Sequence, residues 1–336
     1  MQFQLPIQIS PSEPRINYRD KILLTGSCFT EHIGNSLGEL KFSVLQNPNG
    51  ILFDPRSVCS SLISYIDNKQ YKQSDLYYLN EVWNSWQHHS RFSNINADEC
   101  VRVINESQQQ AHNFMKEADW LIITLGSSFS YRLTSEFSKV APDWGNLEGT
   151  GIANCHRAPS QWFTKYLLTI DEIISQLDVT YHRLKEFNPN LKIVFTISPV
   201  RHIRDGVMEN NRSKARLIEA VHHLINKYPG LYYFPAYELV IDVLRDYRFY
   251  DIDMVHPNYP ATEFVMDKFR ENFVDEESQQ LMEEVKKIVI ARKHKAFQPE
   301  TNAHKLFLKA HLEKANALQL KYGFLDLTEE INYFSS

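Results

Sequence analysis

The chain has 336 residues, 43% of them hydrophobic and 23% charged, with a formal net charge of −5. That length suits one main domain with an appendage. The lack of a basic surplus argues against nucleic acid as a partner, and no apolar run reaches the roughly eighteen residues of a membrane span. Residues 1–6 (MQFQLP) carry neither the basic start nor the apolar core of a signal peptide. The four cysteines, Cys28, Cys59, Cys100 and Cys155, show no CxxC spacing, which predicts a reduced, cytoplasmic protein.

In chain order, apolar runs alternate with helical patterns. Residues 22–25 (ILLT) read as a buried strand, Gly26-Ser27-Cys28 as a sharp turn of small residues, and 31–40 as a helix. Residues 42–45 form a second apolar run, closed by the turn signal Gln46-Asn47-Pro48-Asn49-Gly50. A helix over 57–67 follows. Residues 70–95 break the rhythm, with 76–79 and 82–86 reading as an inserted hairpin. Asp98 is the expected cap of a helix to 116. Residues 121–125 are the clearest strand, ended by Gly126. The stretch 136–160, rich in Gly, Pro and Asn, predicts a long irregular loop of the kind that often carries function.

Thr169-Ile170-Asp171-Glu172 is a capping box at the head of a helix that Asn188-Pro189-Asn190 stops. A strand over 192–197, a helix over 211–227, the last strand over 231–234 and a helix near 237–244 precede the loop 250–260. Continuous apolar strands separated by helices predict an α/β fold, a three-layer α/β/α body around a parallel sheet. Residues 262–295 and 302–321 read as helical. The expected division is therefore an α/β domain over 1–260 and a helical C-terminal extension over 261–336.

The turn at Ser27 lifts a small nucleophile to the carboxyl edge of such a sheet and aims a helix N-terminus at it. The plain alternative is a serine that only caps the helix. A nucleophilic serine needs a base and a group that orients the base. Asp253-Met254-Val255-His256-Pro257 supplies both after the last strand, at the same edge. Asp251 is a rival for the orienting acid. The N–H groups of Ser27 and Gly50 are candidate oxyanion donors, and Asn154 is a candidate side-chain donor. Cys28 is a rival nucleophile.

Gly26-Ser27-Cys28-Phe29 resembles the signature of the GSCFA domain family, a bacterial branch similar to the SGNH (GDSL-type) hydrolases. The resemblance extends through Asn47-Pro48-Asn49-Gly50-Ile51, His89-Ser90-Arg91-Phe92, Thr124-Leu125-Gly126, Asn154-Cys155-His156, Ser198-Pro199-Val200-Arg201, Tyr233-Phe234-Pro235-Ala236-Tyr237-Glu238 and residues 250–256. It implies a flavodoxin-like sheet, Ser27 as nucleophile, His256 as general base, Asp253 as its orienting acid and Gly50 as an oxyanion donor. Two blocks depart from the superfamily pattern. No acidic residue precedes the serine, and Gly126-Ser127-Ser128 stands where a Gly-x-Asn is usual. The third donor is open between Asn154 and Ser128.

The expectation is a serine esterase or O-acyltransferase acting on a small ester, with an acylated carbohydrate as one candidate. A non-catalytic glycan- or protein-binding member using the same cleft is the alternative. His89, Arg91, Gly126, His156 and Arg201 are the expected substrate-binding residues, and His202 and Arg204 sit at the same edge as Arg201. The spacings of His88-His89 and Cys155-His156 fit no zinc rule. No glycine-rich phosphate or dinucleotide motif is present, so neither metal nor cofactor is expected.

Overall fold

The structure is a computed structural model, and it describes residues 5–140 and 147–335. Its centre is a five-stranded, all-parallel sheet. The strands are β1 (Lys21–Gly26), β2 (Ser43–Gln46), β5 (Trp120–Leu125), β9 (Lys192–Ile197) and β10 (Leu231–Phe234), in the order β10-β9-β5-β1-β2. Counted along the chain, that is the flavodoxin-like order 2-1-3-4-5, and the direction of winding reverses between β1 and β5.

Between these strands lie α1 (Cys28–Glu39), α2 (Pro55–Ile66), the hairpin of β3 (Tyr77–Leu79) and β4 (Val82–Asn84), and α3 (Ala97–Glu117). After β5 come β6 (Phe129–Leu133), α4 (Ser135–Val140), β7 (Gly151–Ile152), β8 (Phe163–Leu167) and α5 (Ile170–Phe187). Helix α6 (Val207–Lys227) leads to β10. The short α7 (Ala236–Glu238) runs on as a π-helical turn over Leu239–Leu244, and α8 (Tyr259–Phe273), α9 (Glu276–Lys293), α10 (Asn302–Lys321) and α11 (Thr328–Ser335) follow.

Strand side chains alternate between faces, and here each face has its own core. Ile22, Leu24, Trp120, Ile122, Val194 and Phe234 pack with α1, α8 and the C-terminal helices. Leu23, Leu121, Ile123, Ile193, Phe195 and Ile197 pack with α2, α3, α5 and α6. Burial on both faces explains why the strands read as unbroken apolar runs. The apolar stripe of α9 (Leu281, Met282, Val285, Ile288, Val289) is part of the first core.

Three local features differ from the sequence expectation. Asn96, not Asp98, caps α3: its side chain accepts the N–H of Glu99, which places the helix start at Ala97. The irregular stretch holds α4 and β7, and β7 joins β6 and β8 in a three-stranded sheet of order β7-β6-β8. Residues 141–146 of that stretch lie outside the described residues. The helical run over 262–295 is two helices, α8 and α9, and a fourth C-terminal helix, α11, follows α10.

Candidate active site

Ser27 follows β1 directly, and Gly126 follows β5, its neighbour in the sheet. The two therefore flank the point where the winding reverses, which is where open α/β sheets leave a crevice for ligands. Ser27 is 3% exposed. Its Oγ accepts the N–H of Phe29 at 3.3 Å, so the serine caps α1. A hydrogen bond to this oxygen, at the positive end of a helix, favours its anionic form.

The turn leaves little room. Gly26 adopts φ +141, and a Cβ there would meet the Thr124 carbonyl, so only glycine fits. Gly50 adopts φ +82 with the His89 Cβ against it. The N–H of Ser27 donates to Thr124 O at 3.0 Å, and that of Gly50 to Asn47 O at 2.7 Å. Both expected backbone donors therefore meet carbonyls of their own chain in this structure.

Asp253 and His256 lie on the exposed loop after the π-helical turn. The His256 ring Nδ1 is 2.6 Å from Asp253 Oδ2, and the N–H groups of Val255 and His256 donate to Asp253 Oδ1 at 2.8 and 3.0 Å. These bonds, the ring's first among them, hold the Asp253 carboxyl down at about 2. Nδ1–H donating to the carboxylate leaves Nε2 as the free acceptor. Asp251 instead contributes its backbone, accepting the Met254 N–H and donating to His256 O. Arg201 anchors this loop: its N–H donates to Val255 O, and its guanidinium lies 4.1 Å from the centre of the Tyr250 ring.

The other residues singled out from the sequence divide by what they touch. His89 packs on Gly50, and its Nδ1 accepts the Arg91 N–H. Arg91 reaches the carbonyls of Asn47 and Pro48 and so ties the loop that carries Gly50. His156 Nε2 bonds Ser85 O, and its ring packs edge-on to Tyr77 and Trp86, inside a cluster joining the hairpin to the three-stranded sheet. Asn154 accepts the His156 N–H through Oδ1 and donates its own N–H to Trp86 O. Ser128 is fully buried, and its Oγ donates to Ser213 O at 3.0 Å. Its N–H donates to Ser213 Oγ at 2.7 Å as well, so Ser128 is engaged with α6.

Burial, with Glu31 second, raises the Cys28 thiol above its ordinary value. A raised thiol is protonated at neutral pH and a poor nucleophile. His88 is buried with Nδ1 2.8 Å from Ser85 Oγ. Among the described residues no group of three or more His, Cys, Asp or Glu side chains is placed to hold a metal ion. No described helix is long and apolar enough to cross a membrane.

Sequence reasoning did not single out Lys214. It is 2% exposed, and its Nζ donates to the carbonyls of Gly126 and Ser198 at 2.5 and 2.6 Å, tying the ends of β5 and β9. Burial lowers it to about 7. Lys214 lies on the buried face of α6 with Leu217, Val221 and Leu224, and that helical spacing is the signal that could have found it. A cleft of about 490 Å³ between α1, α8 and α9 is lined by His32, an electrostatic neighbour of His256, and by Glu39, Tyr259, Arg270 and Lys293, and does not include Ser27 or His256. A cleft of about 810 Å³ lined by Arg56, Cys59, Lys69, Gln87 and Gln176 holds none of the serine-site residues.

Comparison with known proteins adds the family. No curated protein matches the chain. Among solved structures, one from Streptococcus pneumonia, provisionally described as a platelet activating factor, is 13% identical with a TM-score of 0.38, covering 75% of this chain and 83% of that one. A carbohydrate esterase family 3 structure from Talaromyces cellulolyticus is 10% identical with a TM-score of 0.34, covering 80% and 99%. At such scores neither likeness says anything of this chain's chemistry. The GSCFA family model matches residues 21–269, and that of the GSCFA domain protein C-terminal domain matches 285–336. With Ser27, Gly50, Gly126 and the Asp253–His256 loop all inside the first match, the chain belongs to the GSCFA family.

Proposed function

We propose that the chain is a serine hydrolase of small esters, working through an acyl-enzyme. The observation that carries this is the Asp253–His256 pair, 2.6 Å apart and set after β10 at the edge where Ser27 follows β1. Ser27 Oγ attacks the ester carbonyl, and its proton passes to His256 Nε2. The tetrahedral intermediate collapses, the C–O bond to the alcohol breaks, and the alcohol leaves with that proton. Water or an acceptor hydroxyl then attacks the acyl-serine and gives its proton to His256, which passes it to Ser27 Oγ as the acyl–Oγ bond breaks and the acid or a new ester leaves. Asp253 holds the imidazole in the needed tautomer and stabilises the imidazolium.

Ser27 Oγ and His256 are not hydrogen-bonded in this structure. Catalytic hydrogen bonds often close only around substrate. The 251–256 loop is mostly exposed, with Met254 at φ +57, and the mechanism requires substrate binding to bring the ring to the serine. An acylated carbohydrate is the first substrate class to test in the crevice beside Ser27.

The test is labelling by a fluorophosphonate, alongside a panel of p-nitrophenyl esters and acetylated sugars. Labelling of the wild type that vanishes in Ser27→Ala supports the reading. Absence of labelling in folded wild type sinks it. One observation favours a second reading: the serine is nearly buried and its N–H is already engaged. A non-catalytic member binding glycans or a protein through this cleft would look so, and an immobilised-glycan array tests it.

A further inference from the structure

Gly126-Ser127-Ser128 carries no asparagine, Ser128 is committed to Ser213, and Asn154 is tied by its N–H to Trp86 O and by its side-chain Oδ1 to the His156 N–H. A second imidazole lies close to the serine. A Cβ placed on Gly126 would stand 2.9 Å from Phe53 Cβ, 3.2 Å from Ser27 Cβ and 3.5 Å from His202 Nε2. The bare Cα of Gly126 thus lets Phe53, Ser27 and the His202 ring nitrogen converge, and any side chain at 126 would push them apart.

His202 is built in. Its N–H donates to Oδ1 of the buried Asn210 at 2.9 Å, and its ring lies 5.2 Å from that of Phe53. The Phe53 carbonyl in turn takes the N–H groups of Gly126 at 2.7 Å and Ser127 at 3.1 Å. One residue therefore supports both the imidazole and the glycine.

We infer that His202 is a catalytic residue of this site, whose Nε2–H donates to the oxyanion formed at Ser27. The inference rests on Ser27 being the nucleophile. Burial, and then the neighbouring Lys214, lower His202 to about 4, with Asp205 opposing and Lys165 and His256 adding to the shift. An imidazole held neutral at working pH is a poor base for serine but a good hydrogen-bond donor, and neutral histidine acts as an electrophile in this way elsewhere. His256, paired with Asp253, keeps the base role.

The experiment compares wild type, His202→Ala, His202→Gln and His256→Ala by fluorophosphonate labelling and p-nitrophenyl acetate hydrolysis, with folding checked by circular dichroism. Loss of one oxyanion donor lowers kcat by about 10²- to 10³-fold. His202→Ala is expected to show that loss with KM little changed and labelling slowed in step. His202→Gln, which keeps an N–H, is expected to recover at least tenfold over alanine. If His202→Ala does not fold, glutamine carries the test: kcat within about a hundredfold of wild type supports the role. Wild-type rates in His202→Ala overturn the inference while leaving the hydrolase reading intact. So does a His202→Gln variant as inactive as His256→Ala, since that marks a base. Absence of labelling in wild type overturns both readings together.

Discussion

Asp253 holds His256 at two points: its Oδ2 takes the ring Nδ1–H at 2.6 Å and its Oδ1 takes the backbone N–H at 3.0 Å. The carboxylate thus fixes both the tautomer and the place of the ring. Asp253→Asn keeps the shape but offers an amide where the ring needs an acceptor. Turnover is expected to fall by about 10²- to 10⁴-fold with little change in melting temperature. Because the Asp253 carboxyl lies near 2, it is ionised across the usual assay range. The substitution should lower the kcat/KM profile without adding a limb between pH 5 and 8, and a steady-state pH series checks this.

Cys28 stands next to the serine, yet burial raises its thiol. Cys28→Ala is expected to keep fluorophosphonate labelling within about threefold of wild type. Iodoacetamide at pH 7 should leave the residue unmodified on a timescale that alkylates free cysteine. Mass spectrometry of the two adducts distinguishes the nucleophiles.

Lys214 is lowered to about 7 by burial. Below that value the folded and unfolded chains both carry the proton, and the cost of burying the charge is fully present. Between about 7 and the ordinary lysine value only the unfolded chain holds it, so this group makes stability rise with pH. The contribution across that window is on the order of a few kcal/mol. Lys214→Met is expected to flatten the pH dependence of Tm between pH 7 and 10 relative to wild type, measured by calorimetry.

Glu330 on α11 is completely buried. Its carboxylate pairs with Lys41 Nζ at 2.9 Å and Arg292 Nε at 3.2 Å. It links the turn before β2, helix α9 and the C-terminal helix. Glu330→Ala leaves two cations facing a void, and breaking such a pair costs about 3 kcal/mol. Urea unfolding should show that loss, with earlier protease cutting after residue 294, while Ser27 labelling of the folded fraction is unchanged.

The main body was legible because its strands are buried on both faces: 22–25, 121–125 and 192–197 can be read as unbroken apolar runs. The capping box at Thr169 and Glu172 placed the start of α5 to the residue. The small sheet of β6, β7 and β8 was not legible. β6 buries only two of its five residues and β8 none, and their pairing depends on partners thirty or more positions apart. Of the proposed site, the Asp253–His256 contact was legible in the D-x-x-H spacing. What escaped was Lys214 and the placing of His202. Their roles come from carbonyls and rings at the ends of other strands, which leave no local pattern.

Ser27 Oγ is at once the proposed nucleophile and the acceptor that closes the first turn of α1. The two duties compete for the same lone pairs. Once the oxygen is esterified it is a weaker acceptor, so the helix end loosens as the acyl group arrives. Phosphonylated protein should then melt below the free protein, although most ligands stabilise what they bind. Release of the acyl group would be helped by a helix recovering its cap. On that proposal, turnover and helix fraying would be joined through one atom.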